Sequence, residues 1–213
     1  MRVRQATITD LPEVSRVHAV CFPDSYSTQL SKYSLVCGNL LNRFYQEYIE
    51  DNPELFLVAE DDNNNIVGFC MGYYMDKDNQ MSNFMFHNRF PILMKTIVLI
   101  ALMNRPTWRK VLARFKHKPD ISDWTIVNYK YEDIGNDKRG DLLSVCVLPE
   151  YRGRGFSQQL MEAYLTVMKE HGRELCLLSV KTVNERARHY YERNGFELYR
   201  TRGAEGLTYI KKL

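Results

Sequence analysis

Hydrophobic and polar positions along the chain fall into blocks. In some blocks the apolar residues have the spacing of a strand, and in others they have the spacing of a helix. The block 3–8 predicts a first strand. A helix ending near Cys21 follows, because Asp10 and Glu13 stand where a capping box would begin it. Between residues 30 and 50, apolar side chains recur at roughly helical spacing, which predicts a second helix.

The remaining blocks predict a sheet and two more helices. "LFLVAE" and "IVGFCMGYY", joined by a polar turn, predict a β-hairpin. The runs 142–147 and 175–180 are almost wholly apolar, as strands buried on both faces are. A helical stripe between them ends at Gly172. A last helix spans about 184–194, and "FELYR" and "LTYIKKL" predict two final strands.

Composition limits the kinds of protein that the chain can be. The 213 residues are 45% hydrophobic and 26% charged, with a net charge of +3. These values are typical of a globular protein and predict no nucleic-acid partner. The N-terminus lacks the apolar core of a signal peptide. The longest apolar run, 92–103, contains Lys95 and is too short to span a bilayer, so we expect no stable membrane insertion.

Cysteine usage bears on the compartment and on metal binding. The five cysteines are scattered and form no C-x-x-C pair. Such an odd, dispersed set is typical of reduced thiols, and not of a disulfide framework or a zinc site. We therefore expect a cytoplasmic protein with no metal.

The stretch "PEYRGRGFSQQL", 149–160, carries the first candidate chemistry. Gly153 and Gly155 stand between a buried strand and a helix, where backbone N–H groups lack partners and favour an anion. Arg152 and Arg154 would add positive charge, so a pyrophosphate would fit. The stretch matches neither the dinucleotide fingerprint nor a Walker A loop. A tight turn with solvated arginines explains this stretch, taken alone, equally well.

A second motif makes the chain recognisable. In "NERARHYYERNGF", Asn184 is followed by Ala187, Tyr191 and Gly195-Phe196. Together with Arg152, Gly155 and Ser157 of the loop, this pattern resembles the GNAT superfamily of acyl-CoA-dependent N-acetyltransferases. Ser157 departs mildly from the family's Gly or Ala. The resemblance covers about residues 1–75 and 140–213.

The resemblance implies an α/β fold. Its central sheet is mixed, mostly antiparallel and splayed between strands four and five, which here are 142–147 and 175–180. Helices cover both faces. We expect 1–213 to form a single domain of this type, with a basic helical insertion at about 77–138 between strands three and four.

The resemblance also implies acetyl-CoA as co-substrate and assigns residues to it. Backbone groups of the strand would bind the pantetheine arm and the thioester, the loop would bind the pyrophosphate, and Asn184 would contact the pantetheine. The strand residues are Val145, Cys146 and Val147, and the loop residues are Arg152, Gly153, Arg154, Gly155, Phe156, Ser157 and Gln158.

Tyr191 would protonate the departing thiolate, as the family's tyrosine does. A core aromatic is the alternative for this residue, although its neighbour Tyr190 suits a core role better. Asp141 is the candidate general base, acting directly or through water. A solvated turn residue is an equally good interpretation of Asp141.

The insertion has a composition of its own. Between Asn79 and Pro119 there is no acidic residue, while the rest of the chain has 21 basic and 26 acidic residues. Four interpretations stay open: a structural cap, a lining for an anionic acceptor such as a nucleotide-linked amino sugar, a membrane-surface helix, and a homodimer contact. Its basic residues are Arg89, Lys95, Arg105, Arg109, Lys110, Arg114, Lys116 and Lys118.

The sequence thus predicts an enzyme that moves the acetyl group of acetyl-CoA to a primary amine of a small molecule, by direct attack in a ternary complex. A non-catalytic acyl-CoA-binding module is the alternative from another class. Protein N-acetylation is a third, although a bulky insertion would obstruct a peptide groove.

Overall fold

The structure is a computed structural model and describes residues 2–35, 37–76, 80–116, 124–202 and 206–213, without the side chains of residues 80, 113–116 and 124. The strands are β1 (Arg2–Gln5), β2 (Phe56–Glu60), β3 (Ile66–Tyr74), β4 (Trp124–Ile126), β5 (Arg139–Val147), β6 (Leu175–Lys181), β7 (Glu197–Arg202) and β8 (Gly206–Lys212). The helices are α1 (Leu11–Cys21), α2 (Tyr26–Ser31), α3 (Leu40–Asp51), α4 (Gln80–His87), α5 (Arg89–Ala101), α6 (Arg105–Lys116), α7 (Phe156–Glu170) and α8 (Glu185–Arg193).

The eight strands of the described residues form one sheet in the order β1-β2-β3-β5-β6-β8-β7-β4. Only β5 and β6 are paired in parallel among the described strands, and the other neighbours are antiparallel. The predicted mixed, mostly antiparallel sheet is therefore confirmed. The insertion between β3 and β5 is helical, as predicted, and its described residues form α4, α5 and α6. They also form β4, which was not predicted. This strand has only three residues, too few to show an alternating pattern in the sequence. It is a strand because it pairs with β7, which is distant in the chain.

Helices cover both faces of the sheet. Phe69 of β3 contacts the ring of Tyr45 on α3, whereas the next residue, Cys70, donates its thiol to Leu160 O on α7 at 3.5 Å. Successive strand residues point to opposite faces, so α3 and α7 lie on opposite sides. The helices α1 and α3 pack on the face of Phe69, and α4–α6 pack against α2 and α3.

The predicted helix between residues 30 and 50 is wrong, because the structure has two separate helices there. Tyr33 and Cys37 adopt positive φ angles of 52° and 60°, which no α-helix accommodates. Ser25 caps α2 by accepting from Thr28 N–H, and Asn39 caps α3 by accepting from Leu41 N–H at 3.0 Å. Apolar spacing alone could not show this break.

The predicted capping box at Asp10 is also wrong. The Asp10 side chain makes no cap on α1 and instead accepts from Thr7 N–H at 2.8 Å. It also accepts from both terminal nitrogens of Arg4, at 2.7 and 2.9 Å. These bonds hold the pKa of the Asp10 carboxyl at about 2. The carboxylate therefore joins β1 to the turn before α1.

The sheet is splayed between β5 and β6. Their ladder covers only 139–142 and 175–178, and beyond it β5 continues along β3 while β6 continues along β8. A bulge on β5 leaves Leu143 without a partner on β3 where the splay begins. Backbone groups of 143–147 therefore face an opening in the sheet.

The insertion helices α4, α5 and α6 pack against α2 and α3 on the side away from the sheet. No single helix in the described ranges is long and apolar enough to cross a membrane, although α4 and α5, bent by 76° at their junction, pass that test as a pair. Lys118 and the side chains of Arg114 and Lys116 lie outside the described residues.

Candidate active site

The loop between β5 and α7 exposes its backbone. Gly153 and Gly155 have φ angles of 77° and 86°, and nothing lies within 4 Å of where a side chain would begin. Side chains rarely adopt such angles, so glycine is required for this turn. The first bond into α7 runs from Gln159 N–H to Gly155 O, at 3.0 Å. The N–H groups of 156–158 thus have no partner inside the helix.

Side-chain bonds hold this loop in place. Arg152 Nε donates to Val147 O at 3.0 Å, which ties the loop to the end of β5. The Arg154 guanidinium lies 5.4 Å from the ring centre of Tyr151. Tyr151 in turn donates its hydroxyl to Asp61 at 2.9 Å. Both arginines remain exposed, so their charges stay available at the loop surface.

The predicted strand residues lie beside the opening. Val145 is half-buried, whereas Cys146 and Val147 are buried. Burial raises the pKa of the Cys146 thiol, which agrees with a small packed side chain and not with a nucleophile. The Cys21 thiol on α1 lies against Cys146, and this contact lowers the Cys21 pKa to about 7.

The second motif lies on α8. Asn184 caps the helix by accepting from Ala187 N–H at 3.3 Å, as predicted. Tyr191 is half-buried, with its ring centre 5.9 Å from Phe196 and 6.4 Å from Tyr209 of β8. Burial raises its pKa to about 12. Within the described part of the chain, its hydroxyl makes no hydrogen bond to protein, so the proton is available to a ligand.

The adjacent tyrosine has a different environment. Tyr190 donates its hydroxyl to Ser157 O at 2.7 Å, which joins α8 to the first turn of α7. The two neighbouring phenols are thus distinguished by their partners: one bonds the loop and the other has a free hydroxyl.

Asp141 lies at the inner end of the splay. It pairs in register with Tyr73 of β3 and Leu177 of β6, so its side chain shares their face of the sheet. Burial raises its pKa to about 7. The sequence left open whether Asp141 is a solvated turn residue, and its half-buried place inside β5 contradicts that alternative.

The two predicted catalytic groups lie on opposite faces of the sheet. Tyr191 contacts Tyr209, which pairs with Leu178, whereas Asp141 pairs with the next residue, Leu177. Neighbouring strand residues point to opposite faces. A ligand that passes through the splay would therefore meet the phenol on one side and the carboxylate on the other.

A cleft of about 1520 Å³ opens on the same side of the sheet as Asp141, although Asp141 is not one of its lining residues. Its walls come from the α1–α2 segment, the insertion helices and the splayed strands, including Leu143 and Ser144 of β5. The lining is mostly apolar, but it includes five cations and, among the described residues that line it, a single carboxylate, Asp24. The cations are Arg89, Arg109, Lys110, Lys181 and Arg202.

A polar cluster in this cleft was not predicted. His18 of α1 is buried, and its Nε2 lies 3.2 and 3.0 Å from the hydroxyls of Ser25 and Ser27. Its Nδ1 lies 2.5 Å from the Tyr45 hydroxyl. Burial lowers the pKa of His18 to about 4, so the ring is neutral at physiological pH. The sequence signal for this cluster is His18 itself, a polar residue within the apolar stripe of a helix.

The described residues hold no cluster of three His, Cys, Asp or Glu side chains that could bind a metal. The open glycine loop, by contrast, fits a phosphorylated ligand, because backbone N–H groups and arginines there face outward.

Comparisons with known proteins agree with this geometry. The profile of the Acetyltransferase (GNAT) family matches residues 122–196. N-alpha-acetyltransferase 30 of Schizosaccharomyces pombe is 37% identical over 124 residues, which cover 51% of this chain and 83% of that protein. Mycothiol acetyltransferase of Propionibacterium freudenreichii is 32% identical over 80 residues, covering 36% of this chain and 26% of that protein.

A solved structure shows the same fold. The PaiA N-acetyltransferase of Thermoplasma acidophilum, in complex with coenzyme A, has a TM-score of 0.56 with 18% identity, and the match covers 100% of this chain and 98% of that one. The family itself is shown by the 37% identity to N-alpha-acetyltransferase 30, of which this chain covers 83%. The protein is therefore an acyl-CoA-dependent N-acetyltransferase whose co-substrate is acetyl-CoA. It belongs to the GNAT superfamily.

Proposed function

We propose that this enzyme acetylates the primary amine of a small anionic molecule, such as a nucleotide-linked amino sugar. The observation that carries the proposal is the excess of cations in the cleft, where five Lys and Arg side chains line the wall with Asp24 as the single acid among the described lining residues. The apolar lining would pack against the body of such an acceptor, while the cations attract its negative charge.

The described residues support a division of roles. Acetyl-CoA, when bound, supplies an activated acetyl thioester. The N–H groups of 153–158 and the nearby arginines would hold its pyrophosphate, while Val145, Cys146, Val147 and Asn184 would hold the pantetheine arm. Asp141, with a pKa of about 7, would take a proton from the attacking amine, directly or through water. Tyr191 would give its proton to the departing thiolate.

Replacing Gly155 with glutamate tests the assignment of the loop. We expect wild-type acetyl-CoA binding with a micromolar Kd and a loss of roughly 100-fold or more in the variant, because a carboxylate would occupy the place of the phosphates. Isothermal calorimetry measures this. Gly172→Glu is the matched control: Gly172 also has a positive φ, 72°, and open space around it, but it lies at the other end of α7. Equal losses in both variants would indicate strain and not a binding role.

Neutralising the cleft tests the anionic acceptor. In Arg109→Gln/Lys181→Gln we expect the acceptor KM to rise about tenfold and its salt dependence to weaken, because each exposed charge contributes on the order of 1 kcal/mol. The KM for acetyl-CoA should not change. Thiol release from acetyl-CoA, assayed with a panel of anionic, neutral and cationic amines, is the measurement.

Arg105→Gln is the matched control for that experiment. Arg105 is an exposed cation at the start of α6 that does not line the cleft. Its replacement should leave both KM values unchanged. A preference for cationic amines, or an identical KM in the cleft variant, would contradict the proposal.

Acetylation of a protein N-terminus is a second candidate. The relative named N-alpha-acetyltransferase 30, of which this chain covers 83%, favours it. The insertion helices that wall the cleft favour a small acceptor instead. Short peptides with free N-termini belong in the same panel, and turnover of peptides above that of every small amine would select this alternative.

We further propose that the protein acts in the cytoplasm as one domain spanning 1–213. All five cysteines are free, which suits a reducing compartment. Sedimentation would test whether the protein forms a homodimer, which is one of the alternatives that the sequence left for the insertion.

A further inference from the structure

Helix α5 exposes an apolar stripe on its outer side. Phe90, Met94 and Ile97 are 68%, 51% and 52% exposed and follow one another at helical spacing, with Ala101 completing the stripe. We call these four residues the outer stripe. Phe90, Met94 and Ile97 do not line the acceptor cleft. An acceptor bound there would therefore leave the outer stripe uncovered.

The opposite side of α5 is already used for packing. Ile92 and Leu99 are buried there, and between them Lys95 is fully buried, with Nζ donating to Gly38 O at 2.5 Å. Burial lowers the pKa of Lys95. A cation thus lies on the inner side, whereas large apolar side chains lie on the outer side. A surface helix normally has the reverse arrangement.

Charge indicates what covers the outer stripe. The segment 80–116 contains no acidic residue. Arg89 lies over the rings of Phe86 and Phe90, and the exposed Arg105 begins the next helix. A second copy docked by two-fold symmetry would bring these same cations together, which is unfavourable. An anionic lipid surface matches both features, because it accepts apolar side chains and attracts Lys and Arg.

We propose that the outer stripe, together with Arg89 and Arg105, docks the protein peripherally on an anionic lipid bilayer. Helix α5, about 20 Å long, would lie in the plane of the membrane without crossing it. The proposal is independent of the identity of the acceptor. It gives the insertion a membrane-surface role, one of the alternatives that the sequence left open, in addition to the acceptor lining proposed above.

Vesicle flotation of the full chain tests the proposal. We expect the protein to float with vesicles containing about one third phosphatidylglycerol, roughly tenfold less with vesicles of phosphatidylcholine alone, and less as salt rises. Phe90→Ser/Met94→Ser/Ile97→Ser should lose at least tenfold in binding to the anionic vesicles. Its melting temperature and its turnover of soluble amines should stay close to wild type, because these side chains are exposed and do not line the cleft.

Ile8→Ser is the control for loss of an exposed apolar side chain, since Ile8 is 51% exposed in the turn after β1. This variant should bind vesicles like the wild type. The proposal is overturned if the folded wild-type protein does not float with anionic vesicles, or if the triple variant floats equally well. Sedimentation that shows a dimer dissociated by the triple variant, without flotation of the wild type, would assign the outer stripe to a second copy instead.

Discussion

Tyr191→Phe is expected to lower kcat about 100-fold while the Kd for acetyl-CoA stays nearly unchanged. The substitution keeps the ring that contacts Phe196 and Tyr209 and removes only the hydroxyl proton. That hydroxyl makes no protein hydrogen bond in the described chain, so its removal should cost little stability. Steady-state kinetics with saturating acetyl-CoA, together with calorimetry, measure the two effects separately.

Tyr190→Phe is the matched control on the same helix. It removes the 2.7 Å bond to Ser157 O at the start of α7. The variant should therefore lose about 1 kcal/mol of stability and bind acetyl-CoA more weakly, with kcat changed only a few-fold. Wild-type turnover in Tyr191→Phe would show that another group, such as water, protonates the thiolate.

Asp141→Asn is expected to lower activity and to raise stability. Asparagine cannot accept the amine proton, so kcat/KM should fall by roughly 100-fold or more at pH 8. In the wild type, kcat/KM should rise with pH through an apparent pKa of about 7, the value to which burial raises this carboxyl. That rise should be absent in the variant. The pH profiles of both proteins are the measurement.

The stability change has the opposite sign. The pKa of Asp141 is raised from 3.8 to about 7 on folding, so ionisation opposes folding, and stability falls as the pH rises from about 4 to about 7. Removing the charge should raise the free energy of unfolding at pH 8 by on the order of 3 kcal/mol, and the melting temperature by roughly 5–10 °C. Below about pH 4 the difference should disappear.

Asp133→Asn is the control, because Asp133 is an exposed carboxylate in the segment before β5. Neither its activity nor its melting temperature should change. If Asp141→Asn keeps the wild-type pH profile, Asp141 is not the base, and the neutral His18 in the cleft becomes the next group to test.

Local features of this protein were predictable from sequence because they depend on residues close together in the chain. The glycine turn at 153–155 and the Asn184 cap are set by backbone geometry within a few residues, and the structure has both. The apolar runs of β5 and β6 likewise predicted buried strands, because a run of neighbouring apolar residues is a local feature of the sequence. Two spaced motifs therefore sufficed to identify the family.

The break between α2 and α3 shows where local patterns fail. Apolar residues kept a helical spacing across it, yet the chain turns at Tyr33 and Cys37. These two residues carry no turn signature of their own, although Gly38 and Asn39 directly after them do, and apolar spacing outweighed that signal. The outer stripe of α5 shows the same limit, since periodicity cannot tell which of two apolar sides of a helix the core will cover.

The sequence by itself determined the two motifs, because they follow from short-range spacing of residues. The motifs identified the family, and the resemblance to that family implied the sheet type. Only the tertiary structure decided that Asp141 and Tyr191 face opposite sides of the splay and that His18 joins Ser25, Ser27 and Tyr45 in one cleft. The pKa values of these groups likewise depend on tertiary structure. Desolvation arises from every neighbour that packs around a group, and most of those neighbours are distant in the chain.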